Sequence, residues 1–268
     1  MQKRTIWKWA RWIIFFYALI GIAIYYLQDY FLFQSLPLRK NHQYNFSIPF
    51  REVNIPYTQT QNLNIIQFET NKPLKGVVLY FHGNRKNIGW YAGFAPMFTQ
   101  HGYEVWMLDY PGYGKSTGKI TEENLYNYAL QLYKLASRRF VPDSILVFGK
   151  SMGTGLATYL ALNVRCKRVI LETPYYSLSS LGSHFFPLYP MKRMMSVDIP
   201  SWQYLKEVTE PVTIFQGTGD LIVPLSNASK LKPFLKGIDE FITIKGGSHN
   251  NLRDYPVFKR KMDSLLNL

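Results

Sequence analysis

The sequence has little cysteine and few acidic residues, and each shortage narrows the classes of protein that it can encode. The single cysteine, Cys166, has no partner for an intramolecular disulfide, so the fold does not depend on an oxidising compartment. The sequence contains no CxxC pair and no cluster of histidine and cysteine with zinc-site spacing. It also lacks internal repeats and low-complexity tracts. We therefore expect an ordinary globular fold without a structural metal.

The shortage of acidic residues gives the protein a strong positive charge. Asp and Glu number 17 against 31 Lys and Arg, for a formal net charge of +14. This charge alone would suit nucleic acid, but the sequence has no recognition module, and we expect no nucleic-acid partner. Attraction to anionic lipid headgroups is a second interpretation, and a basic surface without a partner is a third.

The N-terminal part carries a long apolar run. Residues 12–27 (WIIFFYALIGIAIYYL) contain no charge, and basic residues precede them at Lys3, Arg4, Lys8 and Arg11. As a helix this run covers about 24 Å, against a hydrocarbon core of about 30 Å, and aromatic residues flank both ends. We predict that residues 1–33 form a cytoplasmic tip and a single-pass anchor that meets the membrane over 12–33.

The charge asymmetry around this run predicts its orientation. More basic residues before the run than after it place the N-terminus in the cytoplasm and the catalytic domain on the outer, periplasmic or extracytoplasmic side. A cleaved signal peptide is the alternative, although the apolar run is long for one and no small-x-small cleavage site follows it.

The rest of the chain alternates strand and helix patterns. Residues 34–49 read as a linker, and residues 50–268 as one α/β domain whose mostly parallel sheet is flanked by helices. Strands are predicted at 50–57, 63–69, 76–81, 104–109, 144–149, 168–172, 212–216 and 240–244. Helices are predicted at 89–101, 121–139, 151–163, 225–236 and 252–266. Residues 174–205, rich in aromatics, proline and methionine, follow the sixth strand and are predicted to be a short lid.

The motif that points to chemistry is Gly149-Lys150-Ser151-Met152-Gly153. It follows a predicted buried strand and opens a predicted helix, which is the context of a nucleophile elbow. The sharp turn leaves no room for side chains two residues before and two after the serine, and glycine meets that need. The pattern predicts that Ser151 is a nucleophile.

An acid and a base follow in the order that such a serine requires. Asp220 comes just after the strand 212–216, and His249 just after the strand 240–244. Parallel strands bring their carboxyl ends to one edge of the sheet, so both residues should lie near Ser151. We predict that Ser151, Asp220 and His249 form a catalytic triad.

The loop after the strand 76–81 (His82-Gly83-Asn84) has the position of an oxyanion loop. We predict that the backbone N–H groups of Asn84 and Met152 stabilise the oxyanion. His82 reads as a residue that bonds within this loop.

Other candidates are weaker. Asp109 begins a tight Gly/Pro loop and reads as structural, and Asp198 falls in the predicted lid. Cys166 has no histidine near it in sequence. His42, His101 and His184 read as solvated side chains.

Together these motifs resemble the α/β-hydrolase-domain family, most of all its membrane-anchored branch with an N-terminal transmembrane helix. The resemblance covers residues 50–268 and is carried by 82–87, 108–116, the serine motif, 217–224 and 247–251. Pro111 stands where that branch often has arginine. The resemblance implies the α/β-hydrolase fold.

The motifs and the resemblance lead to one expected function. We expect a serine hydrolase that cleaves an ester or thioester of a small-molecule or acylated, lipid-like substrate through an acyl-enzyme, without metal or organic cofactor. Two alternatives remain open. One is a peptidase on the same fold, and the other is a membrane-anchored scaffold without activity.

Overall fold

An eight-stranded sheet forms the centre of the protein. The computed structural model describes residues 2–267. The strands are β1 (Phe50–Pro56), β2 (Asn62–Phe68), β3 (Gly76–Phe81), β4 (Tyr103–Leu108), β5 (Ile145–Lys150), β6 (Arg168–Glu172), β7 (Val212–Gly217) and β8 (Glu240–Ile244). Their spatial order is β1-β2-β4-β3-β5-β6-β7-β8. Strand β2 runs antiparallel to both of its neighbours and every other pair is parallel, so the predicted fold class is confirmed.

The apolar runs of the sequence form the central strands. Every residue of β3, β4 and β5 is buried, as expected for strands covered on both faces. Because side chains alternate along a strand, Val77 and Leu79 enter the core on one face while Val78 and Tyr80 enter the core on the other. The sheet is therefore packed on both faces, and its carboxyl edge carries the loops described below.

Helices from the body of the chain cover both faces of this sheet, and one long helix precedes them. The helices are α1 (Gln2–Leu32), α2 (Ile88–Tyr91), α3 (Pro96–Thr99), α4 (Glu122–Ala136), α5 (Met152–Asn163), α6 (Leu178–Phe185), α7 (Met191–Met194), α8 (Ser201–Glu207), α9 (Leu225–Ala228) and α10 (Pro256–Asn267). Short 3₁₀ turns lie at Ala92–Phe94, Pro142–Ser144, Ser229–Phe234 and Leu252–Asp254. Helix α4 begins as predicted at Thr121, whose side chain accepts a hydrogen bond from the Asn124 N–H.

Three predicted helices are broken in the structure. The stretch predicted as 252–266 is a 3₁₀ turn at Leu252–Asp254 followed by α10. The stretch predicted as 89–101 is α2, a 3₁₀ turn and α3, and it restarts where Pro96 occupies the first turn of α3. The stretch predicted as 225–236 is α9 followed by a 3₁₀ turn that contains Pro233. Pro256 opens α10 as Pro96 opens α3, and because proline has no N–H to donate to the preceding turn, it explains these breaks.

The segment 34–49, predicted as a linker, packs on the domain. Gln34–Ser35 pairs in parallel with Arg85–Lys86 as a separate two-stranded sheet. Further along, the Phe46 ring lies 5.1 Å from the Phe68 ring on β2, centroid to centroid. Sequence pattern missed these contacts because each joins residues more than twenty positions apart.

Helix α1 divides into a free part and a docked part. It is long and apolar enough to cross a membrane, with mean hydropathy 1.7 over its best window, none of which is buried in the protein. Its second half nevertheless touches the 174–205 segment, where Tyr17 stacks on Tyr189 at 4.7 Å. Gln28 is buried there, donating to the Met194 carbonyl at 2.9 Å and accepting from the Ser196 N–H at 2.8 Å.

Candidate active site

Ser151 lies in the sharp turn between β5 and α5. Its backbone has φ 51° and ψ −120°, a conformation that non-glycine residues rarely adopt. A Cβ on Gly149 would lie 2.6 Å from the Gly153 carbonyl oxygen, and one on Gly153 would lie 2.1 Å from the Phe81 carbonyl oxygen. Only glycine fits at either position, because the turn is as crowded as the motif predicts.

Asp220 and His249 are in direct contact. His249 Nδ1 lies 2.8 Å from Asp220 Oδ2, and both side chains are buried. The other carboxylate oxygen, Oδ1, accepts the N–H groups of Ile222 at 2.9 Å and Val223 at 2.8 Å. These bonds satisfy the buried carboxylate and fix its direction, so it can hold the imidazole in one orientation.

The loops that carry this pair are joined to each other. The Gly219 N–H donates to the Gly247 carbonyl at 2.8 Å, and the Thr218 N–H donates to the Ile244 carbonyl at 3.0 Å. A Cβ on Gly217 would lie 2.1 Å from the Gly247 oxygen, so the loops touch backbone to backbone. The loops after β7 and β8 therefore position Asp220 and His249 as one unit.

The Ser151 hydroxyl makes no hydrogen bond to any of the residues 2–267. Its backbone N–H donates to the Glu172 carbonyl at 2.9 Å, which fixes the turn. Bonds between a nucleophile and its base commonly form only once substrate is bound, so this arrangement is compatible with a serine–histidine pair.

Asn84 is held firmly beside this turn. Its carbonyl accepts the Gln34 N–H at 3.0 Å and the Tyr113 hydroxyl at 2.8 Å, and its side-chain amide donates to the Leu32 carbonyl at 2.8 Å. Within the described residues neither the Asn84 N–H nor the Met152 N–H has an acceptor. Two backbone donors thus remain available for an oxyanion, the second of them at the N-terminus of α5, where the helix dipole favours negative charge.

An ion pair that sequence pattern did not indicate lies next to the nucleophile in the chain. Lys150 Nζ forms a short, buried contact with Glu172 Oε1 and also donates to the His249 carbonyl at 3.1 Å. The two residues are neighbours in the β5–β6 ladder. In the sequence, the signal for this ion pair is a charged residue at the end of each of two buried strands.

The structure gives His82 and Asp109 structural positions, as the sequence predicts. Both are fully buried. His82 Nδ1 lies 2.7 Å from the Gly83 carbonyl, within its own loop. Asp109 accepts the Ile88 N–H at 2.9 Å, and a Cβ on Gly114 would collide with its carboxylate. Asp109 therefore ties two loops together.

The other candidates lie away from the pair. Cys166 is buried, and burial raises the pKa of its thiol to about 12, which leaves almost no nucleophilic thiolate near neutral pH. Asp198 accepts the Ser179 N–H at 2.7 Å in the 174–205 segment. His101 faces Asp263 on α10, 3.2 Å away, and His184 lies on α6.

Among residues 2–267, no three His, Cys, Asp or Glu side chains converge as a metal site requires.

Residues 72–208 match the Hydrolase_4 family model, described as serine aminopeptidase, S33. The chain is also similar to alpha/beta hydrolase domain-containing protein 17C of Xenopus tropicalis, with 28% identity over 193 residues that cover 70% of this chain and 61% of the relative. An uncharacterized protein of Mycobacterium tuberculosis is 28% identical over 176 residues, covering 65% of this chain and 63% of its own. The matches thus span a little over three fifths of these curated relatives.

Solved structures share the fold. An esterase of Pyrococcus furiosus superposes with a TM-score of 0.67 at 17% identity, covering 87% of this chain and 96% of its own. At that identity the likeness supports the architecture alone. The architecture that the two proteins share is the mostly parallel sheet with flanking helices.

Proposed function

Because the chain belongs to the Hydrolase_4 family of α/β hydrolases, we propose that it is a serine hydrolase that cleaves an ester or thioester through an acyl-enzyme on Ser151. The observation that carries the proposal is the buried contact between Asp220 and His249, 2.8 Å long, at the sheet edge that also holds the strained Ser151 turn. A strained serine together with an oriented imidazole is the arrangement that nucleophilic catalysis needs.

In the proposed mechanism His249 takes the proton of Ser151 as the hydroxyl oxygen attacks the carbonyl carbon. Asp220 keeps the imidazole in the tautomer whose Nε2 accepts that proton and stabilises the imidazolium that forms. The N–H groups of Asn84 and Met152 stabilise the oxyanion. His249 then protonates the leaving group, and a water activated by the same imidazole hydrolyses the acyl-enzyme.

An acylated or lipid-like substrate is favoured by the surface of the 174–205 segment. Phe185, Phe186 and Leu188 expose between 43% and 77% of their surface there, beside the apolar helix α1. Exposed apolar groups next to each other commonly mark a contact with lipid or with an apolar ligand. The family description, serine aminopeptidase, favours a second candidate, a peptidase that uses the same residues.

Fluorophosphonate labelling of the full chain in detergent tests the nucleophile. We expect labelling of the wild type, none of Ser151→Ala, and full labelling of Ser137→Ala, which removes an exposed hydroxyl. Absence of label on the wild type, or equal label on Ser151→Ala, would contradict the proposal and favour a scaffold. Turnover of matched ester, thioester and aminoacyl-peptide substrates then separates the esterase and thioesterase function from the peptidase.

We also propose that α1 anchors the enzyme in a membrane, with the N-terminus in the cytoplasm and the catalytic domain outside. The exposure of the whole apolar window supports an anchor, since the core helix of a soluble domain would be buried. Protease added to spheroplasts should degrade the domain, whereas protection of the domain in intact spheroplasts and cleavage only after lysis would reverse the orientation.

A further inference from the structure

A basic cavity of about 500 Å³ opens beside the candidate active site. Four of the residues that line it are cationic: Arg85, Lys86, Lys150 and Arg253. Trp90 and Phe94 supply apolar walls. Among the residues that line this cavity within the described chain there is no carboxylate.

The cavity adjoins the nucleophile. Lys150 directly precedes Ser151 in the chain, and Asn250, also in the cavity wall, directly follows His249. The two sites also meet at Gly83, where a Cβ would lie 2.7 Å from the Tyr91 hydroxyl in the wall and 3.6 Å from Ser151 Cβ. A substrate with its carbonyl at Ser151 can therefore place a substituent in this cavity.

The positive charge of the cavity is largely uncompensated. Lys150 is paired with the buried Glu172. Arg85, Lys86 and Arg253 have no carboxylate partner anywhere in the described residues 2–267. Three like charges around one cavity repel one another, and an anion between them removes that repulsion.

Aromatic rings hold two of these cations in place. Lys86 Nζ lies 3.3 Å from the centre of the Trp90 ring, and Arg253 Cζ lies 4.3 Å from the centre of the Phe94 ring. Stacking on a ring face orients a cation and leaves N–H groups free to bind a second partner. Burial raises the pKa of Tyr91 to about 12, so its hydroxyl stays protonated near neutral pH and can also donate.

We propose that this cavity binds an anionic group, a phosphate or a carboxylate, of the substrate that is cleaved at Ser151. The inference rests on the proposed hydrolase function and narrows its substrate to acidic esters or thioesters. Guanidinium and ammonium groups around a common space are the partners that phosphate and carboxylate oxygens prefer. The reaction itself is unchanged: the anion stays intact while the acyl bond is cleaved.

Pairs of substrates that differ only in the anion test this inference with the full chain in detergent. On the acyl side the pair is 4-nitrophenyl hydrogen glutarate and its neutral methyl ester. On the leaving-group side the pair is 1-acylglycerol 3-phosphate and 1-acylglycerol. Butanoyl chains in solution and hexadecanoyl chains in mixed micelles distinguish a soluble acid from a lipid headgroup.

We expect the anionic member of at least one pair to have a kcat/KM about tenfold or more above its neutral partner, with the ratio falling as salt is added. Arg253→Gln and Arg85→Gln should each lower this ratio about tenfold, because each removes a charge-assisted contact. Arg138→Gln, which removes an exposed arginine elsewhere, should leave the ratio unchanged. Both substrates of a pair are measured on the same variant. Partial misfolding therefore lowers both kcat/KM values equally and leaves their ratio unchanged.

The outcomes separate this inference from the function on which it rests. A wild type that takes the fluorophosphonate label and hydrolyses neutral esters, but shows no anion preference in any pair, overturns the cavity assignment alone. A preference that survives Arg253→Gln and Arg85→Gln overturns it as well. A wild type that neither labels nor hydrolyses any ester overturns both proposals.

Discussion

Lys150, which directly precedes the candidate nucleophile, forms a buried ion pair with Glu172 across adjacent strands. Lys150 also donates to the His249 carbonyl, so one ammonium group carried by the serine strand contacts both β6 and the histidine loop. The second carboxylate oxygen of Glu172 has no hydrogen-bond partner among the described residues. The pair therefore buries two charges that depend on each other.

The first prediction concerns this dependence. Lys150→Met leaves the Glu172 carboxylate buried without a countercharge and should lower the free energy of unfolding by about 3–5 kcal/mol. Lys150→Met combined with Glu172→Leu removes both charges and should recover most of that loss. Denaturant unfolding of the three proteins in detergent measures the effect, and equal losses in the single and double variants would contradict it.

The second prediction concerns Asp220. Asp220→Asn can no longer hold the imidazole tautomer that leaves Nε2 free, so kcat on the best ester should fall about 10⁴-fold. The fold should persist, because the side-chain oxygen can still accept the Ile222 and Val223 N–H groups. Asp143→Asn, at an exposed position before β5, is the matched control and should retain wild-type kcat.

The third prediction concerns the crowding around the elbow. In Gly153→Ala the new methyl group would lie 2.1 Å from the Phe81 carbonyl oxygen, so the start of α5 must move and fluorophosphonate labelling should be lost. Gly93→Ala makes the same chemical change where nothing lies within 4 Å, and it should label like the wild type. Strong labelling of Gly153→Ala would contradict the prediction, because it would show that the turn accommodates the methyl group.

The fourth prediction concerns Cys166. Because burial raises the pKa of the thiol to about 12, the folded protein at pH 8 should not react with iodoacetamide. Unfolding returns the thiol to a pKa of about 8.5 and should expose it to rapid alkylation. Mass spectrometry with and without guanidinium measures both states, and fast alkylation of the folded protein would contradict the assignment.

The fifth prediction concerns the start of the domain. A chain that begins at residue 50 lacks the Leu32 and Gln34 partners of Asn84, so the oxyanion loop should loosen and kcat should fall about 10²-fold or more. A chain that begins at Gln28 keeps both partners and should retain kcat. Equal kcat for the two chains would show that the loop holds its shape alone.

The placement of Ser151, Asp220 and His249 was predictable because it depends on local sequence. Each residue follows a strand of the parallel part of the sheet, and parallel strands bring their carboxyl ends to one edge. The order of the strands across the sheet is not local, so the pairing of Lys150 with Glu172 needed the structure.

Most of the contacts that sequence pattern did not predict join residues that are far apart in the chain. Gln28 meets Ser196 across 168 positions, and no periodicity within either segment indicates the contact. The broken helix at 88–99 is a smaller failure, since Pro96 was visible in the sequence and the helical periodicity concealed its effect.

The attachment of α1 to the domain has a consequence for how far the domain can move from a membrane that holds the helix. A domain on a flexible tether sweeps a hemisphere and meets substrates at many heights above a bilayer. Here Gln28 and Leu32 are hydrogen-bonded to the domain, which holds the end of the helix beside the sheet edge that carries Ser151. If α1 anchors a hydrolase as proposed, we expect the catalytic edge to work at one fixed elevation and tilt, so that the distance of a scissile bond from the lipid decides whether it is cleaved.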